Sequence, residues 1–429
     1  MLVVFLLALN GSFTWNGLAP QRQPAAPAQE QNKSPLPLEE GKGVRRTPDS
    51  FGEGAPRQAD RPLTSQQAKT RPARTTSYLR TEGARLVDSS GKEVRITGIS
   101  WFGMETDTFA PHGLWTRNWQ EMLDEIVQLG FNTIRLPFSN ELFDPRNKPS
   151  GIDFTLNPDL KGLSGIEIMD VIVRGAADRG LKVLLDRHRP DKNAQSSLWY
   201  TPQIGEERWI EDWKMLAKRY LGEDAVIGAD LHNEPRGEAT WGDGNLKTDW
   251  RLAAERAGNA ILAVNPNWLI VVEGIERYRD DNYWWGGNLK GVAEYPVRLS
   301  VPNRLVYSAH DYGPGVWGQA WFSHPNFPAN LAKLWDDHWA YIQKDGIAPV
   351  LMGEFGGRSV GVDKEGIWQR ALVDFLKSRG LSYTYWSLNP NSGDTGGILK
   401  DDWKTVDRAK HDLLATYMWP SLGATSGLR

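Results

Sequence analysis

Eight apolar runs of five to seven residues recur along the chain and alternate with longer stretches of helical period. They are Val94–Ser100, Thr133–Pro137, Lys182–Asp186, Val226–His232, Leu269–Glu273, Leu305–His310, Pro349–Glu354 and Tyr383–Leu388. Between most of them lie amphipathic segments: Trp119–Leu129, Ile166–Arg179, Glu206–Tyr220, Thr248–Val264, Ala329–Lys344 and Glu365–Ser378. Gly130, Gly180 and Gly380 follow three of these, where a left-handed residue stops a helix. Only Gly274–Asn303 lacks a clean helical pattern. A strand followed by a helix returns the chain to the same sheet in parallel, and eight such units close a barrel. The expected fold class is therefore α/β, a (β/α)8 TIM barrel. Arg85–Asp88 and Val94–Ile96 flank Ser89-Ser90-Gly91, which predicts an N-terminal β-hairpin.

The barrel does not claim the whole chain. The first 77 residues hold 9 of the 26 Pro, and between Asn16 and Ser77 the only aromatic residue is Phe51. Such a stretch cannot bury enough apolar surface to offset chain entropy. Residues 16–76 are expected to form a disordered linker. Residues 1–15 carry the apolar run Leu2–Leu9, too short to span a bilayer but suited to the core of a signal peptide. The expected organisation is a signal segment 1–15, linker 16–76, catalytic domain 77–420 and tail 421–429, in a secreted, extracellular protein. An uncleaved N-terminus would make it a surface-tethered one.

In such barrels function gathers at the C-terminal ends of the strands. The second run carries Arg135. The third ends on Asp186-Arg187-His188, the fourth on His232-Asn233-Glu234-Pro235, the sixth on His310-Asp311-Tyr312, the seventh on Glu354, and the eighth holds Trp386. Any one of these has a structural reading as a cap, a salt bridge or a turn. Together they put two Glu, 120 residues apart in sequence, into one mouth. Two carboxylates suit glycosidic bond cleavage: one is protonated to serve the leaving oxygen, the other ionised to attack or to activate water. Their surroundings must separate the two pKa values. Arg135 and Tyr312 are suited to keeping Glu354 ionised, Asn233 to bonding a sugar 2-hydroxyl, and His188 and His310 to giving neutral hydrogen bonds.

Other chemistries lack their residues. The chain has no Cys, no His-Glu-x-x-His, no P-loop and no Gly-x-Ser-x-Gly. No metal and no cofactor is expected. A net charge of −3 argues against nucleic acid as a partner. The 20 Trp outnumber either the 12 Tyr or the 13 Phe, so some indoles are expected to face a ligand. Trp119, Trp209, Trp213, Trp335 and Trp368 fall in helical patterns and are expected to pack against the barrel.

These motifs resemble glycoside hydrolase family 5, from about Tyr78 to Tyr417. The segments NTIRLP, LDRHRP, LHNEP, SAHDY, GEFG and YWS match the family's active-site positions at Arg135, His188, Asn233, Glu234, His310, Tyr312, Glu354 and Trp386. GISWFGMET (98–106), HGLW (112–115), DWRLAAERAGNA (249–260), YWWGGNL (283–289) and NPNSGDTGGILKDDW (389–403) are similar to its bacterial endo-β-1,4-glucanases, or cellulases. The resemblance implies Glu234 as acid/base, Glu354 as nucleophile, net retention and no cofactor. It implies Trp386 as the floor beneath the cleaved sugar, with a cis bond to Ser387, and Trp101 and Trp241 as further sugar platforms. The implied partner is a β-1,4-linked polysaccharide, handled by a monomer with no obligate protein partner. A β-mannanase, a xyloglucanase and a non-catalytic glycan-binding barrel are the alternatives. Secreted relatives often carry loop cysteines near Asp107, Lys192 and Trp241, and this chain must hold those loops without cross-links. Met418–Arg429 is too short for an appended carbohydrate-binding module.

Overall fold

The computed structural model describes residues 77–422, all within one compact unit. The expected signal segment, the linker and the last seven residues of the tail lie outside the described residues. Eight parallel strands close a barrel in simple sequence order: Thr97–Ser100, Thr133–Ser139, Lys182–Arg189, Val226–Asp230, Leu269–Glu273, Leu305–His310, Val350–Glu354 and Ser382–Tyr385. The last strand pairs with the first, with Tyr383 opposite Thr97 and Tyr385 opposite Ile99. The strand residues are almost all buried, as the near-continuous apolar runs require of a sheet covered on both faces.

Most predicted segments differ from the observed ones by one to three residues at their ends. Two differ in kind. Val94–Ser100 is not one strand: Glu93–Val94 belongs to an N-terminal sheet, and Thr97–Ser100 opens the barrel. The expected hairpin gains a third strand, because Arg80–Glu82 pairs antiparallel with Arg85–Val87. The helical stretch Leu331–Lys344 also widens at its centre into a π-helical turn over Asp336–Ala340. Between residues 274 and 303, in place of a crossover helix, lie a two-stranded ribbon and the short 3-10 turn Lys290–Ala293.

Capping explains several helix starts. Asn118 accepts from the backbone N–H of Gln120 and Glu121, Ser164 and Glu167 form a reciprocal capping box, and Asp363 accepts from Gly366. Gly380 ends its helix at φ +64°, and Gly130 and Gly180 also have positive φ.

The apolar interior has two parts. The larger lies between the barrel and its helices. The smaller joins Leu184, Ile227, Val271, Val306 and Leu351 of alternate strand positions to Leu79, Leu86 and Val94 of the N-terminal sheet and to Leu422. The N-terminal sheet thus plugs one end of the barrel, and the polar residues collect at the other.

The tryptophans mostly build this interior. Trp119, Trp209, Trp213, Trp335 and Trp368 are buried, as their helical positions predict. Trp101 and Trp241 are buried too, which corrects their expected role as sugar platforms. Trp101 is 0% exposed and donates Nε1 to His112 O at 2.9 Å; Trp241 is 4% exposed and donates to Tyr295 O at 2.9 Å. Neither has a ring face left for a sugar. Both sit where an indole fills volume while its N–H finds a carbonyl.

Candidate active site

Arg135 projects from the second barrel strand into the mouth, wholly buried, and four carboxylates surround it. Its Nε meets Asp230 at 2.9 Å, its Nη2 meets Asp186 at 3.1 Å and Glu273 at 3.2 Å, and its Nη1 donates to Glu354 Oε1. Nη2 also donates to Asn233 Oδ1 at 2.9 Å. One guanidinium therefore ties together the ends of strands 3, 4, 5 and 7. Its fork of donors suits this better than a lysine point charge.

Glu354 takes a second bond from Tyr312, whose hydroxyl donates to Oε2 at 2.7 Å. Burial by itself would raise this carboxyl. The charges of His310, Arg135 and His188, with the Tyr312 bond, overcome it and hold Glu354 down at about 2. Glu234 is pushed the other way, chiefly by burial and further by the Glu354 charge, while its bond with His310 opposes the rise. The two carboxyls are driven apart as an acid and a base require.

His310 Nδ1 lies 3.0 Å from Glu234 Oε1 and 3.6 Å from Glu354 Oε2. His188 Nδ1 bonds Asp186 Oδ2 at 2.7 Å. The expectation of neutral imidazoles is corrected here. Burial favours the neutral form, but Glu273 and Glu354 outweigh it at His310, and Asp186 does so at His188, so both are drawn toward the protonated form. His232, the third His at a strand end, instead pairs with Arg187 at 2.8 Å and is held well below its usual range, first by burial. It lies behind the site.

Trp386 keeps part of its surface exposed while lying parallel to His188 and to Phe102, with ring centroids 5.2 and 5.3 Å away. Its Nε1 donates to Ser392 Oγ at 3.1 Å, and its bond to Ser387 is cis. Asn233 spends its Oδ1 on Arg135 and leaves Nδ2 buried without a protein partner. Such a donor is one a substrate hydroxyl can complete.

The structure thus brings together Arg135, His188, Asn233, Glu234, His310, Tyr312, Glu354 and Trp386, and leaves Trp101 and Trp241 outside. It gives Asp186, noted in the sequence only as part of a strand end, a partner in Arg135, and it adds Asp230 and Glu273, to which the sequence assigned no role. The signal was there: an acid ends the apolar runs LLD and VVE and interrupts the fourth run at GAD. Burying a carboxylate is costly without a charged partner, and that partner comes from another strand.

Two sets of three ligand-type atoms lie within 4.8 Å of one another, Asp186/His188/Glu354 and Glu234/His310/Glu354. Arg135 already supplies positive charge to the first set and to Glu354 of the second.

The family model described as cellulase (glycosyl hydrolase family 5) matches residues 87–392. The chain belongs to glycosyl hydrolase family 5. Within the family it is 58% identical over 352 residues to an endoglucanase of Paenibacillus polymyxa, spanning 81% of this chain and 89% of that one. It is 44% identical over 356 residues to the major extracellular endoglucanase of Xanthomonas campestris pv. campestris, spanning 82% and 73%. Among solved structures, the endocellulase of the archaeon Pyrococcus horikoshii superposes with a TM-score of 0.76 at 44% identity, covering 80% of this chain and 99% of that one.

Proposed function

We propose that this family 5 hydrolase is a secreted, retaining endo-β-1,4-glucanase, with Glu234 as acid/base and Glu354 as nucleophile. The observation that carries the reading is the spacing of the two carboxyls. One oxygen of each lies beside the same nitrogen, His310 Nδ1, at 3.0 Å for Glu234 and 3.6 Å for Glu354, which supports a short spacing. Retaining enzymes hold the pair about 5–5.5 Å apart, whereas inverting ones leave about 6.5–9.5 Å for a water. The endoglucanase names of the relatives support cellulose as the substrate, and a complex of the Pyrococcus horikoshii enzyme contains cellotetraose.

In the first step ionised Glu354 attacks the anomeric carbon and the bond to the leaving oxygen breaks. Glu234 passes its proton to that oxygen, so the departing chain leaves as an alcohol. Arg135 and Tyr312 hold the attacking carboxylate in place. In the second step Glu234, now ionised, takes a proton from water as the water attacks the same carbon and Glu354 is released. Two inversions leave the anomer retained. Asn233 Nδ2 offers a donor toward the 2-hydroxyl, and Trp386 offers an apolar face beneath the ring. A barrel that only bound glycan would have no use for two carboxyls driven in opposite directions.

The test is hydrolysis of carboxymethyl cellulose by the wild type, Glu234→Gln and Glu354→Gln, with the released anomer followed by NMR. Full activity in either variant would remove the role assigned to that residue, and an inverted first product would remove the covalent route. A panel of cellulose, mannan, xyloglucan and mixed-linkage glucan separates the glucanase from a mannanase or xyloglucanase. Mass spectrometry of the protein in culture supernatant tests export and cleavage of the N-terminal segment.

A further inference from the structure

Glu234 has φ +54°, a left-handed conformation that side-chain-bearing residues rarely adopt. Something must hold it there. Its backbone N–H donates to Glu273 Oε2 at 2.8 Å, and Glu273 is wholly buried at the end of the fifth strand. The other oxygen of Glu273 lies 3.3 Å from His310 Nε2 and 3.2 Å from Arg135 Nη2. His310 in turn reaches Glu234 Oε1 through Nδ1 at 3.0 Å. Glu273 therefore holds Glu234 directly by a hydrogen bond at the backbone, and touches at ion-pair distance the imidazole that bonds its carboxyl.

The neighbourhood keeps Glu273 from moving. Trp250 donates Nε1 to its carbonyl at 2.9 Å from outside the barrel. Gly286 closes over it from the next loop. A Cβ on Gly286 would stand 2.5 Å from Glu273 Oε2 and 3.2 Å from Glu234 Cα. Balancing the charge of Arg135 does not explain this arrangement, because Asp186, Asp230 and Glu354 also flank that guanidinium.

We propose that Glu273 is a positioning residue for proton delivery: it fixes the backbone of Glu234 through Oε2 and its carboxyl through His310, so that the acid proton meets the leaving oxygen. This rests on the acid/base role of Glu234 proposed above. A group that acts mainly on proton delivery matters most when the leaving group needs a proton and least when it does not, provided the pH is one at which Glu354 stays ionised. The ratio kcat/KM reports the steps up to departure of the leaving group, so it isolates this effect.

The experiment measures kcat/KM for cellopentaose and for 2,4-dinitrophenyl β-cellobioside with the wild type, Glu273→Gln and Gly286→Ala. Glu273→Gln is expected to lower the cellopentaose value about a hundredfold and the dinitrophenyl value by less than about threefold. Gly286→Ala keeps the charge but displaces Oε2 and crowds Glu234 itself, and is expected to show the same selective loss. Equal losses on both substrates, or no loss on either, would overturn the proposal. If Glu273→Gln does not fold, Glu273→Asp decides: it keeps the charge but is one methylene short of the Glu234 N–H, and it too should lose the cellopentaose value selectively. A wild type that cleaves neither substrate would overturn the proposed function itself, and this role with it.

Discussion

Tyr312 donates its hydroxyl to Glu354 Oε2 across 2.7 Å, while Arg135 holds the other oxygen. Tyr312→Phe removes one donor from an ionised carboxylate, a loss of about 1.5–3 kcal/mol. The Tyr312 bond is one of the forces holding Glu354 at about 2, so its removal raises that value. With Glu354 as the proposed nucleophile, activity requires it ionised, so the acid limb of kcat/KM is expected to move to higher pH. A pH series of the variant against the wild type checks both the direction and a fall of about tenfold or more.

The wild-type profile should be bell-shaped. Glu354 must be ionised and Glu234 protonated, and the second limb lies above the ordinary glutamate range because burial raises Glu234. Glu234→Gln removes the group that titrates there. The alkaline limb of kcat/KM on an activated aryl cellobioside should then vanish, and its persistence would show that another group controls it.

Trp386 and Trp241 should fail in opposite ways. Trp386→Ala removes a partly exposed ring and should lower kcat/KM for cello-oligosaccharides about tenfold or more, with little loss of stability. Trp241→Ala empties a buried site and should cost about 3–5 kcal/mol in denaturant unfolding, with KM unchanged.

Arg135→Met leaves four buried carboxylates without their common cation. Breaking a buried pair costs about 3–5 kcal/mol, and this site has more than one. Arg135→Lys keeps the charge but not the fork. It should recover part of the stability while activity stays low, as urea titration and kcat together would show.

Asp311 accepts from Tyr283, from Trp368 at 2.8 Å and from Trp335 at 3.0 Å, with no cation beside it among those contacts. Burial raises it from 3.8 to about 7 against those three donors. The folded state therefore binds a proton between about pH 4 and 7 that the unfolded state has released. This group's contribution to stability is present below pH 4 and is lost as pH rises through 7. Asp311→Asn should flatten that part of the stability–pH curve, measured as the difference between variant and wild type.

Most of the site was legible because chemistry at a barrel mouth must hang on strand ends, and strand ends can be read from apolar runs. Arg135, Glu234, Glu354 and Trp386 were found that way. Glu273 was passed over because an acid after Val271-Val272 looks like any strand terminus until its partners are known. Trp101 and Trp241 misled for the converse reason: an indole serves a core and a sugar equally well, and the sequence does not say which face is covered. Several of the surplus indoles instead brace the mouth from behind. Trp209 and Trp213 donate to Leu231 O, Trp250 to Glu273 O, and Trp335 and Trp368 to Asp311.

Local pattern alone determined the eight-strand barrel and the two glutamates, because strand and helix periods are properties of neighbouring residues. The protonation of the site was decided only by the tertiary structure. Glu234 and Glu354 are the same residue type in similar strand-end motifs. One carries a raised pKa and the other a depressed one because Arg135, His188, and the pair His310 and Tyr312 arrive from three other strand ends. Electrostatic energy depends on distance in space, and the sequence does not contain those distances.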